Sequence, residues 1–358
     1  MLARVAIAAV CRRWTAADPV RVEPLGATGF SGSRVFSVAL ADPPGRFVLK
    51  RFHAAATVEH ARFVHGLVRH LRAEGILQVP EVLAALDGDT VVAADGGLWE
   101  LARLMPGAAV ACPTAAQAAA AADMLARVHL AAARLPGHPP RTAISPGVER
   151  RIEQARRLLA EPWEARRADW MRAGRPAAAP RLTAAVVERL ERAIAGVQEW
   201  GGDTLLTRCA ALPSHAVMIQ PVLRDIWYEH VLCADAASDS VTGLIDLHAA
   251  GIDTPATDLA RLMGSWQLPA DGARLSLVAR WPEAVAAYER VRPLSREEVG
   301  LIPFLHATGL LFGLDNWFRW TLDEQREFPD ADRVLARIDS LLEALPAGLA
   351  NARSGQRL

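Results

Sequence analysis

"QPVLRDIWYEHVLCADAASDSVTGLIDLHAAGIDTPATDLARL", residues 220–262, contains two apolar runs that each close on an aspartate. Asp225 follows the first in "VLRDIW", and Asp246 ends the second in "VTGLID". Short apolar runs bounded by polar turns read as buried strands. A hairpin-like segment between them would bring the two carboxylates together. Phosphoryl transfer uses such a pair, one carboxylate orienting a hydroxyl and the other holding a metal on the phosphates. Two aspartates capping turns would look the same, so the pair needs support from elsewhere in the chain.

That support starts at "RFVLKRF", residues 46–52, which holds the only lysine among 40 lysines and arginines. Arginine replaces lysine wherever a positive charge suffices, but not where a compact ammonium must meet a phosphate oxygen. Lys50 is therefore a candidate phosphate contact. On a strand it shares a face with Val48 and Phe52, opposite Leu49 and Arg51. Upstream, "GATGFSGS" (residues 26–33) sets three glycines and two serines between strand-like runs. Glycines let backbone amides approach a polyphosphate closely. A strand, the turn "ADPPG" and another strand return the chain so that Lys50 can meet the same phosphates. Residues 57–74 have a helical apolar period and carry Glu59 on the first turn, where it could hold the ammonium.

At 358 residues the chain is long enough for a large core in one bilobal unit or two domains. A formal net charge of zero argues against a general nucleic-acid or anionic-membrane binder. The four cysteines, Cys11, Cys112, Cys209 and Cys233, are far apart, as expected of a reducing cytoplasm. "LARVAIAAVCRRW" is too short to span a bilayer, and its arginines follow the apolar run, the reverse of a secretory signal. No stretch reads as a transmembrane helix. Residues 1–20 read as a short amphipathic helix, and the N-lobe as a whole, residues 1–105, as a small mixed sheet with one helix. Residues 106–358 read as mainly helical, at 114–134, 147–160, 183–200, 274–290, 296–321 and 330–345, interrupted by a β segment at 217–246. Between residues 161 and 181 the Pro- and Arg-rich run "EPWEARRADWMRAGRPAAAP" reads as a mobile connector or lid.

Gly-rich loop, strand lysine, helical glutamate, "RD" and "ID" occur in the protein-kinase-like order. The chain resembles the aminoglycoside phosphotransferase and choline/homoserine kinase-like family. "LRDIWYEHVL" is similar to that family's "HGDxxxxNxL" segment, and "GLIDLHAAGIDTPATDLARL" to its "GxIDFxxxxxGxxxxDLA" segment. "MLARVHLAA" (residues 124–132) and "ELARLMPG" resemble its "LaxLH" helix and interlobe hinge. The resemblance spans roughly residues 20–265. It implies an α+β, protein-kinase-like bilobal fold with a small β-rich N-lobe and a mainly helical C-lobe. It also implies ATP-dependent transfer of a γ-phosphate to a small-molecule hydroxyl, with Mg²⁺, or Mn²⁺ as an alternative. Asp225 would be the base, with Arg224 beside it, and Asp246 the metal ligand. Gly29, Ser31, Gly32, Ser33 and Lys50 would hold phosphates, and Leu101, Ala102, Arg103 and Leu104 would face the adenine. Asp258 would be structural, tying the metal loop to the following helix.

Two positions depart from that pattern. His230 stands where asparagine is expected, and Leu247-His248 where an aromatic-glycine pair is expected. Imidazole nitrogen suits softer metals than Mg²⁺. His230 as a metal ligand thus implies a modified, a manganese- or zinc-biased, or a degenerate site. The alternatives are a catalytically silent nucleotide- or partner-binding module, or a hydrolase built on the His and Asp cluster. Asp315, Trp317 and Trp320 in the late helix could receive a cationic amine, although tryptophans at helical spacing are more often core. The absence of net acidity speaks against antibiotic resistance.

Overall fold

The computed structural model describes residues 2–25, 33–172, 180–212, 216–235, 237–266, 277–328 and 330–354. Near the start, a five-stranded antiparallel sheet is formed by β1 (Arg21–Pro24), β2 (Arg34–Ala41), β3 (Pro44–Arg51), β4 (Val92–Ala94) and β5 (Gly97–Arg103). Its order is β1-β2-β3-β5-β4. Between β4 and β5, Asp95 and Gly96 both have positive φ, at 45° and 65°. An Asp-Gly pair adopts that mirror-image turn at little cost, and its twist matches the strands it joins.

Alternation along β3 and β5 gives the sheet two different faces. Phe47, Leu49, Trp99 and Leu101 point into a core covered by Ile7, Val10 and Cys11 of α1 (Leu2–Cys11). Lys50 and Glu100 are paired in register, so both lie on the opposite face. That face meets α2 (Val58–Ala73), whose N-terminus is capped by Thr57 accepting the amide of His60. The apolar side of α2, Val64, Leu67, Val68 and Leu71, packs into the core of the helical lobe. The helix that borders the cleft is thereby anchored to the far side of it.

In the helical lobe come β6 (Ala108–Ala109), α3 (Ala115–Ala132), β7 (Arg141–Ile144), α4 (Pro146–Ala160), α5 (Trp163–Arg172), α6 (Pro180–Glu199) and α7 (Gly202–Ala210). They are followed by β8 (Ala216–Val222), β9 (Val231–Cys233), β10 (Val241–Leu244), β11 (Gly251–Asp253) and α8 (Ala256–Met263). The last helices are α9 (Leu277–Glu289), α10 (Arg296–Phe318) and α11 (Ala331–Ser354). α3 and α10 both begin in capping boxes, Thr114 with Gln117 and Ser295 with Glu298. Two three-stranded sheets, β10-β9-β6 and β11-β8-β7, carry the loops of the 220–262 segment. The architecture is α+β and kinase-like, as the sequence implies.

The stretch expected to be a mobile connector is in part the helix α5. Trp163 donates to Asp315 Oδ1 at 2.9 Å, and Arg166 bonds the same oxygen at 2.9 Å. Trp170 and Arg166 both bond Asp323. α5 is docked through polar groups, which hydrophobic periodicity does not register. α7 and β7 were also not anticipated, and α11 extends beyond the expected residue 345. Asp315 is used up by Trp163, Arg157 and Arg166, and Trp317 is 5% exposed in the core. Asp315 is therefore part of a packed, polar-bonded interior and not a free acid for an amine. No helix among the described residues is long and apolar enough to cross a membrane.

Candidate active site

β8 delivers the chain to a three-residue turn in which the amide of Asp225 donates to the carbonyl of Leu223 at 2.8 Å. Arg224, at its centre, has φ 66°. For a bulky residue this left-handed conformation costs on the order of 1–3 kcal/mol and must be held by its surroundings. Asp258 on α8 holds it. The fully buried carboxylate accepts the amides of Leu223 at 2.7 Å and Arg224 at 2.6 Å. Asp258 Oδ2 also meets His129 Nε2 at 2.9 Å, and His129 Nδ1 meets the Tyr288 hydroxyl at 2.7 Å. Asp258 is structural, as expected, but it ties α8 to the segment that carries Asp225. Arg261, one turn further along α8, donates to Asp225 Oδ1 from Nε at 2.9 Å. The Asp225 side chain remains 48% exposed.

The β9–β10 hairpin, pairing Leu244 with Val231, folds His230 against Asp246. His230 Nε2 lies 3.7 Å from Asp246 Oδ2. His230 Nδ1 meets the carbonyl oxygen of Asp225 at 2.8 Å, and Trp227 Nε1 donates to His230 Nε2 at 2.8 Å. An indole N–H only donates, so Nε2 is the acceptor and Nδ1 carries the hydrogen. Both ring nitrogens are thus engaged, which leaves His230 no lone pair for a cation in this arrangement. The hairpin does connect the two aspartates, but through this imidazole.

Asp246 also has a left-handed backbone, with φ 55°. Its Oδ1 accepts from Lys50 Nζ at 2.6 Å, joining the sheet to the helical lobe. His248 Nδ1 lies 3.0 Å from Lys50 Nζ and 3.3 Å from Asp246 Oδ1, and its Nε2 lies 3.0 Å from Glu100 Oε1. Glu100 Oε2 meets His65 Nε2 at 2.7 Å, and His65 Nδ1 meets Thr90 Oγ1 at 2.8 Å. Burial acts to raise the pKa of Asp246, but the His248 hydrogen bond and the charge and hydrogen bond of Lys50 outweigh it and hold the carboxyl far below its usual range. Glu100 is likewise held low: burial opposes ionisation, and the charge of His248 together with the hydrogen bond of His65 overcomes it. Burial alone would lower the His248 pKa; the negative charge of Glu100 reverses this, and the pKa is raised.

The carboxylate paired in register with the lysine is Glu100 on β5. Glu59 is exposed on the first turn of α2 and does not meet Lys50. An acid inside the apolar strand "LWELA" was the available signal for Glu100, since alternation puts it on the face opposite Trp99 and Leu101. Of the expected adenine neighbours, Leu101 is fully buried in the sheet core. Arg103 points away to Glu81 at 3.1 Å and Phe47 at 5.2 Å. Ala102 and Leu104 share the face of Glu100 by alternation. Ser33 is buried, whereas Gly29, Ser31 and Gly32 lie outside the described residues.

Residues 26–294 match the model of the phosphotransferase enzyme family. A homoserine kinase of Azorhizobium caulinodans is 28% identical over 275 residues, covering 76% of this chain and 74% of that one. Among solved structures, a spectinomycin phosphotransferase in complex with ADP and spectinomycin superposes with a TM-score of 0.63 at 11% identity, over 98% of both chains. An amicoumacin kinase in complex with AMP-PNP and Ca²⁺ gives 0.61 at 13% identity, over 95% of this chain and 92% of that one. With the kinase-like fold and a family match over more than half its length, the chain belongs to the phosphotransferase enzyme family and is a small-molecule kinase.

Proposed function

We propose that the protein transfers the γ-phosphate of ATP to a hydroxyl of a small molecule in the cleft between a lobe of residues 1–105 and one of residues 106–358. The observation that carries this reading is the 2.6 Å contact of the only lysine with Asp246. It joins two residues 196 positions apart in the order that phosphoryl transfer requires. Lys50, with the loop ending at Ser33, contacts the phosphates, and Ala102 and Leu104 border the adenine. Asp225 orients the acceptor hydroxyl and takes its proton. Arg261 keeps that carboxylate aimed, because its guanidinium occupies one oxygen and leaves the other for substrate.

A divalent cation fits at Asp246. The carboxyl is ionised and 47% exposed, and its Oδ2 makes no hydrogen bond among the described residues. When bound, Mg²⁺ or Mn²⁺ supplies charge neutralisation on the phosphate oxygens. His230 serves as a brace for the base segment, through the Asp225 carbonyl and Trp227.

Calorimetry with ATP in Mg²⁺, in Mn²⁺ and without metal tests the reading, with Asp246→Asn as control. Metal-dependent binding that the control loses is expected. An absence of ATP binding in every condition would favour a catalytically silent module and overturn the proposal.

A further inference from the structure

A second, smaller cleft of about 390 Å³ lies beside the base segment, lined by His60, Arg150, Arg151, Arg224, Ala249 and Thr257. Arg151, Arg224 and Thr257 also line an adjoining cavity of about 1050 Å³, whose wall includes Arg261, the residue bonded to Asp225. No acidic side chain lines the smaller cleft. Its three guanidiniums are poorly compensated. Arg150 reaches the buried Asp253 only at 3.4 Å. Among the described residues Arg151 donates to neutral oxygens alone, Thr308 Oγ1 at 3.1 Å and the Gly147 carbonyl at 3.0 Å. The Arg224 side chain has no hydrogen bond or ion pair among the described residues. Its place is a built one, since a Cβ on Gly251 would lie 2.5 Å from Arg224 Nη1.

An independent observation comes from Thr257, which is 6% exposed with an Oγ1 that has no hydrogen-bond partner among the described residues. Leaving a buried hydroxyl unpaired costs on the order of 1–3 kcal/mol. Cations gathered in a half-buried site also repel one another: burial and the charge of Arg150 lower the Arg224 pKa. Burial is likewise the main cause that brings Arg151 down to about 10. One anion would relieve both conditions, accepting from Thr257 and offsetting the guanidiniums, whose planar forks match carboxylate and phosphate oxygens. Nucleotide phosphates have their own cation in Lys50, on the Asp246 side of the site.

We infer that the acceptor carries an acidic group, carboxylate or phosphate, which Arg150, Arg151, Arg224 and Thr257 hold so that its hydroxyl lies at Asp225. The inference rests on the kinase reading above and adds the chemistry of the acceptor. His60 closes this subsite from the sheet lobe, its Nε2 bonded to the carbonyl of His248 at 2.7 Å.

The test measures ADP formation with matched acceptors: L-homoserine, glycerate and glycerol 3-phosphate against glycerol, ethanolamine and choline. Binding of each acid to the ADP- and Mg²⁺-saturated protein is measured by calorimetry in parallel. The acid arms are expected to exceed the neutral and cationic arms by at least about tenfold in kcat/KM. The better of carboxylate and phosphate identifies the group. Arg151→Gln and Thr257→Val are expected to raise KM for the acid by roughly 10- to 100-fold while the Kd for ATP stays unchanged. Arg150→Gln, at a half-exposed side chain, is a third variant expected to raise KM for the acid with the Kd for ATP unchanged. Preference for neutral or cationic acceptors, or failure of every acid to bind while ATP binds, would overturn the inference. So would weakened ATP binding in Arg151→Gln with KM for the acid unchanged, which would assign the cations to the nucleotide. Failure of the kinase reading is distinct, because wild-type protein would then show no metal-dependent ATP binding.

Discussion

The two walls of the cleft handle charge in opposite ways. On the Lys50 wall every charge has a partner: lysine on Asp246, His248 between Asp246 and Glu100, and His65 on Glu100. On the Arg224 wall Arg261 is matched to Asp225, while Arg150, Arg151 and Arg224 face the buried carboxylates Asp253 and, for Arg224, Asp258, both already hydrogen-bonded elsewhere. A paired network is stable without ligand, and it yields only to something that offers Asp246 and Lys50 equivalent partners, as metal-bound phosphate does. A cationic surplus instead lacks a component. On the proposed reading, the difference separates the half of the site that meets the co-substrate from the half that selects the acceptor.

The largest expected effect is at the junction of the two walls. Asp225→Asn keeps an oxygen for Arg261 but removes the proton acceptor, and kcat should fall by about 10² to 10⁴ with little change in KM. Steady-state ADP formation measures this, and an undiminished kcat would remove the base role. Next, Glu100→Gln strips the common anion from His65 and His248, and should destabilise the fold by about 3 kcal/mol in urea unfolding. A change near zero would mean that the paired wall is paired in appearance only. Lys50→Arg keeps the charge but exchanges a compact ammonium for a planar fork. Loss of one charge-assisted contact, about 1.5–3 kcal/mol, corresponds to roughly 10- to 100-fold in kcat/KM for ATP. Asp258→Asn replaces an acceptor oxygen with a donor facing the amides of Leu223 and Arg224, and should cost about 1–3 kcal/mol of stability. The smallest effect belongs to Glu59→Gln, which should stay within about 0.5 kcal/mol and leave turnover unchanged; a large loss there would restore the helical glutamate as the partner of Lys50.

Much of the fold was legible wherever a local rule operates. α2 could be read from a Thr cap followed by an apolar period, α3 from its regular alanine and leucine spacing, and β3 from alternation around Lys50. The 220–262 segment was legible because each aspartate ends an apolar run. α5 was not, because Trp163, Trp170 and Arg166 dock it through ion pairs and indole hydrogen bonds to Asp315 and Asp323, more than 140 residues away. The acid beside the lysine on its own face was misplaced for a related reason. Glu59 and Glu100 both follow Lys50 on nearby elements, and only the pairing of β3 with β5 decides which one shares its face.

By itself, the sequence determined which residues are the candidates for chemistry and in what order, because residue type, apolar period and the spacing of Lys50, Asp225 and Asp246 are properties of the chain alone. Tertiary structure decided the partners. It gave Asp258 to the amides of the base turn, both nitrogens of His230 to bracing, and Arg224 to a cluster with Arg150 and Arg151. Those outcomes depend on the closure of long loops and on burial, which strengthens a charge's interactions with its few neighbours; no local pattern encodes either.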